Sequence, residues 1–140
     1  YNQRIKDVVF DWDKLLNFDG ETGPYVQYTY ARAASVLRKI GERTEEIDYD
    51  VLSDDTSMAL IKEIERYPQV VQDAADKMEP YIISRYVISL AQQFNKFYHD
   101  CQINVPEDNV RNTRANIVAI VKTIIKDALG LLGIKCPEQM

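Results

Sequence analysis

Apolar residues recur at steps of three and four along almost the whole chain, and alternating strand patterns are nearly absent. A chain patterned this way can only bury its apolar faces by packing helix on helix. The clearest helix opens at Thr22-Gly23-Pro24, where threonine or glycine can cap and proline suits the first turn. It carries Val26, Tyr30, Ala33, Leu37 and Ile40 on one face and stops at Gly41, which tolerates the left-handed backbone of a helix terminus. Leu52-Ser53-Asp54-Asp55 reads as the entrance to a helix holding Leu60, Ile61 and Ile64, with serine or aspartate as its cap. Tyr67-Pro68 ends it, because a residue before proline is pushed out of the helical region. Pro68 opens a short helix to about Lys77, and Pro80 a long one with Ile83, Val87, Leu90, Phe94 and Phe97 on one face. A polar linker, 102–108, precedes a last helix bearing Val110, Ile117, Val121, Ile124, Ala128 and Leu131, which ends at Gly133. The tail 134–140 is expected to be non-helical. The expected fold is all-α, a bundle of about five principal helices joined mostly by short loops.

With 140 residues, one domain over 1–140 is expected, large enough to hold a core without staples. Two cysteines, Cys101 and Cys136, are too few for a disulfide framework. No apolar run approaches the roughly 18 residues needed to span a bilayer. The opening Tyr1-Asn2-Gln3-Arg4 has neither an initiator methionine nor a signal-peptide core, so a piece of a larger cytosolic protein is expected; separately, a monomer is expected. The net charge of −5 argues against a general nucleic-acid binder. It is unevenly spread, however: residues 1–41 carry +1, residues 42–80 carry −8 and residues 81–140 carry +2. The acidic excess belongs to the middle and leaves both ends free to meet a phosphate backbone; the alternative is that the middle is simply a solvated face.

Nothing assembles a catalytic site. His99 is the only histidine, and with Cys101 it makes no metal-ligand set; it reads as a helix-end histidine beside a buried cysteine. There is no phosphate-binding glycine loop and no Gly-x-Ser-x-Gly elbow. A second stripe on the first helix is more informative. Tyr25, Tyr28, Arg32 and Lys39 cluster roughly 130° around from the aliphatic face when each residue advances by about 100°. Such a face either packs on another helix through amphipathic tyrosines or binds a ligand.

The run Phe18-Asp19-Gly20-Glu21-Thr22-Gly23-Pro24-Tyr25-Val26-Gln27-Tyr28 resembles the opening of the anticodon-binding, DALR-type domain of arginyl-tRNA synthetases, a class I family. Three further blocks resemble that family in the same order: Phe10-Asp11-Trp12-Asp13-Lys14, Leu90-Ala91-Gln92-Gln93-Phe94-Asn95-Lys96-Phe97-Tyr98, and Leu131 through Met140. The resemblance spans nearly the whole chain and departs at Thr29-Tyr30, where many relatives place a small residue and histidine. Because Tyr30 lies on the aliphatic face, that departure is expected to affect packing rather than recognition.

The resemblance implies a domain that grips the anticodon stem-loop of arginine tRNA, within a cytoplasmic enzyme that charges that tRNA using ATP with Mg. The nucleotide-handling motifs of that enzyme belong to an upstream catalytic domain; Lys77-Met78 continues as Glu79-Pro80 and is not one of them. No cofactor and no catalysis are therefore expected of the present residues. The implied anticodon contacts are Tyr25, Tyr28, Arg32, Tyr98 and Met140, and Arg38, Lys39, Arg111, Arg114, Lys122 and Lys126 are candidate phosphate contacts. A scaffold for protein partners, without RNA binding, is the alternative. A separately expressed relative with another RNA-linked role is a third.

Overall fold

The computed structural model describes Trp12 and residues 22–139. From Thr22 onward it runs through α1 (Gly23–Ile40), a 3-10 turn (Tyr49–Leu52), α2 (Asp55–Glu65), α3 (Tyr67–Lys77), α4 (Tyr81–Asp100) and α5 (Asp108–Leu131). No strand occurs among the described residues, so the all-α expectation holds.

The boundaries follow local chemistry. Thr22 caps α1 by accepting from the Tyr25 amide, and Gly41, at φ 76°, closes it with its amide on the Leu37 carbonyl. Asp54 caps α2 through both carboxylate oxygens, taking the Ser57 amide at 2.9 Å and the Ser57 hydroxyl at 2.6 Å. Only Arg66 separates α2 from α3, whose second residue is Pro68. Past α5, Gly133 adopts φ 74°, and the Ile134 amide returns to the Leu129 carbonyl at 2.8 Å. This left-handed closure fits a position without a Cβ.

Helix α4 is the central member, in contact with α1, α2, α3 and α5, and α1 also packs along α5. Its apolar stripe is buried as the sequence indicates: Ile83, Val87, Leu90, Phe94 and Phe97 are all enclosed. Val26, Tyr30 and Ala33 of α1 join them, whereas Leu37 and Ile40 are only half-buried. The stripe on α5 needs correction. The enclosed apolar residues are Ala115, Ile117, Val118, Val121, Ile125, Ala128 and Leu129, while Val110 and Ile124 are half-buried and Leu131 is 54% exposed. Helix α5 meets both α1 and α4, which broadens and turns its buried face.

The connection from α1 to the 3-10 turn is held by a polar face of α5. Asn112 accepts the Thr44 amide at 2.7 Å and donates to the Glu46 carbonyl at 2.8 Å. Asn116 donates to the carbonyls of Thr44 and Glu46 and accepts from the Arg43 side chain. Thr113 accepts the Asp48 amide, and Asn109 donates to the Asp48 carboxylate. Residues 109, 112, 113 and 116 share one helix face, so this loop lies along the helix without a strand to pair with.

Candidate nucleic-acid interface

The second stripe of α1 faces the carboxy-terminal end of α4, and the two meet through Asn95. Its amide oxygen accepts from the Arg32 guanidinium at 2.7 Å. Its amide nitrogen donates to the Tyr25 hydroxyl at 2.8 Å and to the Thr29 hydroxyl at 3.0 Å. Asn95 sits one residue after the fully buried Phe94 and two before Phe97, which fixes where its side chain emerges. The Thr29 hydroxyl in turn donates to the Tyr25 carbonyl at 3.0 Å, and Thr29 is fully enclosed.

Held in this way, the Arg32 guanidinium lies 4.9 Å from the Tyr28 ring centroid and 5.1 Å from that of Tyr98. Both are cation–π distances, and a planar guanidinium suits such stacking. Tyr28 is 42% and Tyr98 41% exposed, so each ring keeps a face for solvent or a ligand. Tyr98 is backed by Phe94, with ring centroids 6.4 Å apart. Tyr28, Arg32 and Tyr98 line an open cleft of about 500 Å³ together with Arg38, Lys39 and Gln139.

The remaining residues singled out in the sequence are placed as follows. Tyr25 is half-buried, packs against the core and spends its hydroxyl on Asn95, so it supports the cleft from behind. Lys39 is exposed at the cleft, and Arg38 reaches the Glu138 carbonyl at 3.2 Å. Lys122 pairs with the Glu138 carboxylate at 3.0 Å. Lys126 is exposed, and its charge helps to hold the Glu138 carboxyl below the usual carboxylate range, after the stronger effects of the Tyr30 hydroxyl and Lys122. Arg111 and Arg114 serve the linker before α5: Arg111 donates to the carbonyls of Val105 and Pro106 and pairs with Asp108, and Arg114 donates to the Gln102 carbonyl. Met140 lies outside the described residues, as do most of residues 10–21 that carry the first two blocks of resemblance.

Sequence reasoning named Asn95 within a motif without giving it a role. The available signal was local only, a lone amide between two core phenylalanines, and nothing near it in sequence pointed to the stripe on α1. It also gave Gln139 no place. The tail is non-helical as expected, but it is fastened: Gln27 donates to the Lys135 carbonyl at 2.7 Å and Tyr30 to the Glu138 carboxylate at 2.6 Å. Elsewhere, His99 is exposed and bonded to Asp100, and burial pushes the Cys101 thiol above its ordinary range. Among the described residues no cluster of histidine, cysteine and carboxylate could hold a metal ion. No described helix is long and apolar enough to cross a membrane.

Known proteins are similar to this chain in sequence and in fold. The sequence profile of the DALR anticodon binding domain matches residues 26–140. The arginine–tRNA ligase of Halothermothrix orenii is 49% identical over 141 residues, covering 100% of this chain and 25% of the relative. That of Alkaliphilus metalliredigens is 50% identical over 140 residues, covering 99% and 25%. The solved arginyl-tRNA synthetase of Thermus thermophilus superposes with a TM-score of 0.89 at 31% identity, over 96% of this chain and 24% of that one. The synthetase of Plasmodium falciparum gives a TM-score of 0.86 at 28% identity, over 99% and 25%. The chain thus spans about a quarter of the length of the relatives it matches.

Proposed function

The chain belongs to the DALR anticodon binding domain family, and from that premise we propose that it recognises the anticodon stem-loop of arginine tRNA on behalf of an arginine–tRNA ligase. The observation that carries the reading is the cleft in which Tyr28 and Tyr98 flank Arg32, with Lys39 and Arg38 at its edge. Single-stranded loop bases are recognised by stacking on aromatic planes and by hydrogen bonds to their exposed edges. Tyr28 and Tyr98 supply the planes, and the Arg32 guanidinium supplies a planar set of donors held in place by Asn95. A guanidinium fixed before the ligand arrives loses less conformational freedom on binding.

Ligation itself belongs to the parent enzyme in this proposal. A catalytic domain outside these residues would bind ATP with Mg, activate arginine and transfer it in the cytoplasm, while the present residues select the tRNA. Monomeric behaviour and a single folded unit over 1–140 are part of the same proposal. Of the candidate phosphate contacts, Arg38 and Lys39 line the cleft and the exposed Lys126 lies near the tail beside it, which supports them; Lys122 is paired with Glu138. Arg111 sits eleven residues before Lys122, about 16 Å along the helix, and is occupied with the linker.

The test is a titration of a labelled arginine anticodon stem-loop with the 140-residue chain, alongside an unrelated stem-loop of equal length. Selective, salt-sensitive binding supports the proposal. Equal or absent binding of both stem-loops sinks it and returns the cleft to a protein partner.

A further inference from the structure

Tyr30 lies in the core at 1% exposure, yet its hydroxyl is directed outward to a carboxylate on the tail. Both oxygens of that carboxylate are engaged. Tyr30 donates to Oε1 of Glu138 at 2.6 Å, and Lys122 Nζ donates to Oε2 at 3.0 Å. The Lys122 ammonium also stands 5.2 Å from the Tyr30 ring centroid, so the three side chains close a small circuit. The backbone is tied to α1 before Glu138, by Gln27 at the Lys135 carbonyl, and at Glu138 itself, by Arg38 at its carbonyl. The next residue, Gln139, lines the cleft beside Tyr28, Arg32 and Tyr98.

We propose that Tyr30, Lys122 and Glu138 form an anchor that sets the 135–139 segment in place as one wall of the RNA cleft, and that Glu138 is thereby a positioning residue for anticodon recognition. This rests on the reading of the cleft given under Proposed function. An irregular segment following a helix-ending glycine ordinarily frays, because few contacts offset its conformational entropy. Here charge-assisted hydrogen bonds at both carboxylate oxygens oppose fraying from a foundation inside the core. The Tyr30 ring fills the core while its hydroxyl reaches the tail beside the site. Burial and then the Glu138 carboxylate push the Tyr30 phenol well above its ordinary range, so it stays a donor. The same bond, with Lys122, holds Glu138 ionised.

The experiment compares the 140-residue chain with Tyr30→Phe, Glu138→Gln and the double variant. Tyr30→Phe keeps the ring, and with it the core packing and the contact to Lys122. Backbone ¹⁵N order parameters are measured for Lys135, Cys136, Glu138 and Gln139, Pro137 having no amide proton, and affinity for the arginine anticodon stem-loop is measured by fluorescence anisotropy. In the unaltered chain the segment should be ordered like the adjacent helix, near 0.85, and in each variant it should fall toward about 0.6 or below. Affinity should drop about 3–10-fold in each single variant, and the double variant should be little worse than Glu138→Gln alone, since one linkage is being cut twice. Order parameters unchanged by both substitutions overturn the anchor. A looser segment with undiminished affinity overturns the positioning role and leaves the cleft reading standing. Failure of the unaltered chain to bind overturns that reading, and the positioning role falls with it.

Discussion

Replacing Asn95 by alanine should damage stability and recognition together, through one set of lost bonds. The side chain makes two bonds to neutral hydroxyls, at 2.8 and 3.0 Å, and one to a guanidinium at 2.7 Å. Net contributions are about 0.5–1.5 kcal/mol for a neutral bond and about 1.5–3 kcal/mol for one to a charged group. Water can replace part of this at Tyr25 and Arg32, which are half-buried, whereas Thr29 is enclosed but keeps its bond to the Tyr25 carbonyl. A net loss of about 2 kcal/mol follows, or roughly 4–8 °C in Tm for a domain of this size. Freed from Asn95, the guanidinium samples rotamers away from Tyr28 and Tyr98, which should weaken stem-loop binding by about 1 kcal/mol, roughly fivefold. The assay is a double-mutant cycle of Asn95→Ala with Arg32→Ala, with urea unfolding and stem-loop anisotropy read on all four proteins. If Asn95 acts through Arg32, the two affinity losses couple by about 1 kcal/mol. Additive losses, or an Asn95→Ala chain that melts and binds as the unaltered one does, would refute the reasoning.

Tyr28→Ala should weaken stem-loop binding by about 1–3 kcal/mol, measured by anisotropy, while moving Tm little, because the ring is exposed and outside the core. Affinity measured against salt should give a shallow log–log slope, equivalent to roughly two to five phosphates at about −0.7 each, since few cations border the cleft. Asp54→Ala should cost about 1 kcal/mol at neutral pH through loss of the α2 cap, as read by thermal melts. Burial works to raise the Asp54 carboxyl, but the bonds from the Ser57 hydroxyl and amide outweigh it and hold the group below its ordinary range. Its folded value is thus depressed, and the stabilisation is present above the unfolded value of 3.8 and lost as pH falls through the lower folded one. The difference between Asp54→Ala and the unaltered chain should therefore shrink on acidification below about pH 4.

Most of the fold is legible in the sequence because caps and periodicity act locally. Thr22, Gly41, Asp54 and Gly133 end or begin helices for reasons contained within a few residues of each. The stripe on α4 is legible for the same reason, being apolar on one side only. Helix α5 is harder: it is wedged against two neighbours, and nothing local tells Leu129, enclosed, from Leu131, exposed. The site divides similarly. Tyr28 and Arg32 are four residues apart on one helix, so periodicity alone brings them together. The bonds of Asn95 to Arg32 and of Glu138 to Tyr30 span 63 and 108 residues, and no local pattern encodes such pairings.

The ladder of side chains that pins residues 43–48 to α5 also bears on how the acidic middle of the chain acts electrically. An untethered acidic arm would explore a volume, and within one molecule its carboxylates would reach the cations of the cleft at high effective concentration, competing with any polyanion. Asn109, Asn112, Thr113 and Asn116 remove that freedom by holding the loop at its backbone and at Asp48. The loop's charge then becomes a stationary source, felt only over a screening length of about 8 Å at physiological salt. A net-acidic chain can in this way present a locally cationic mouth. Cutting the ladder, as in Asn112→Ala with Asn116→Ala, would convert a static field into a mobile competitor without altering a single charge.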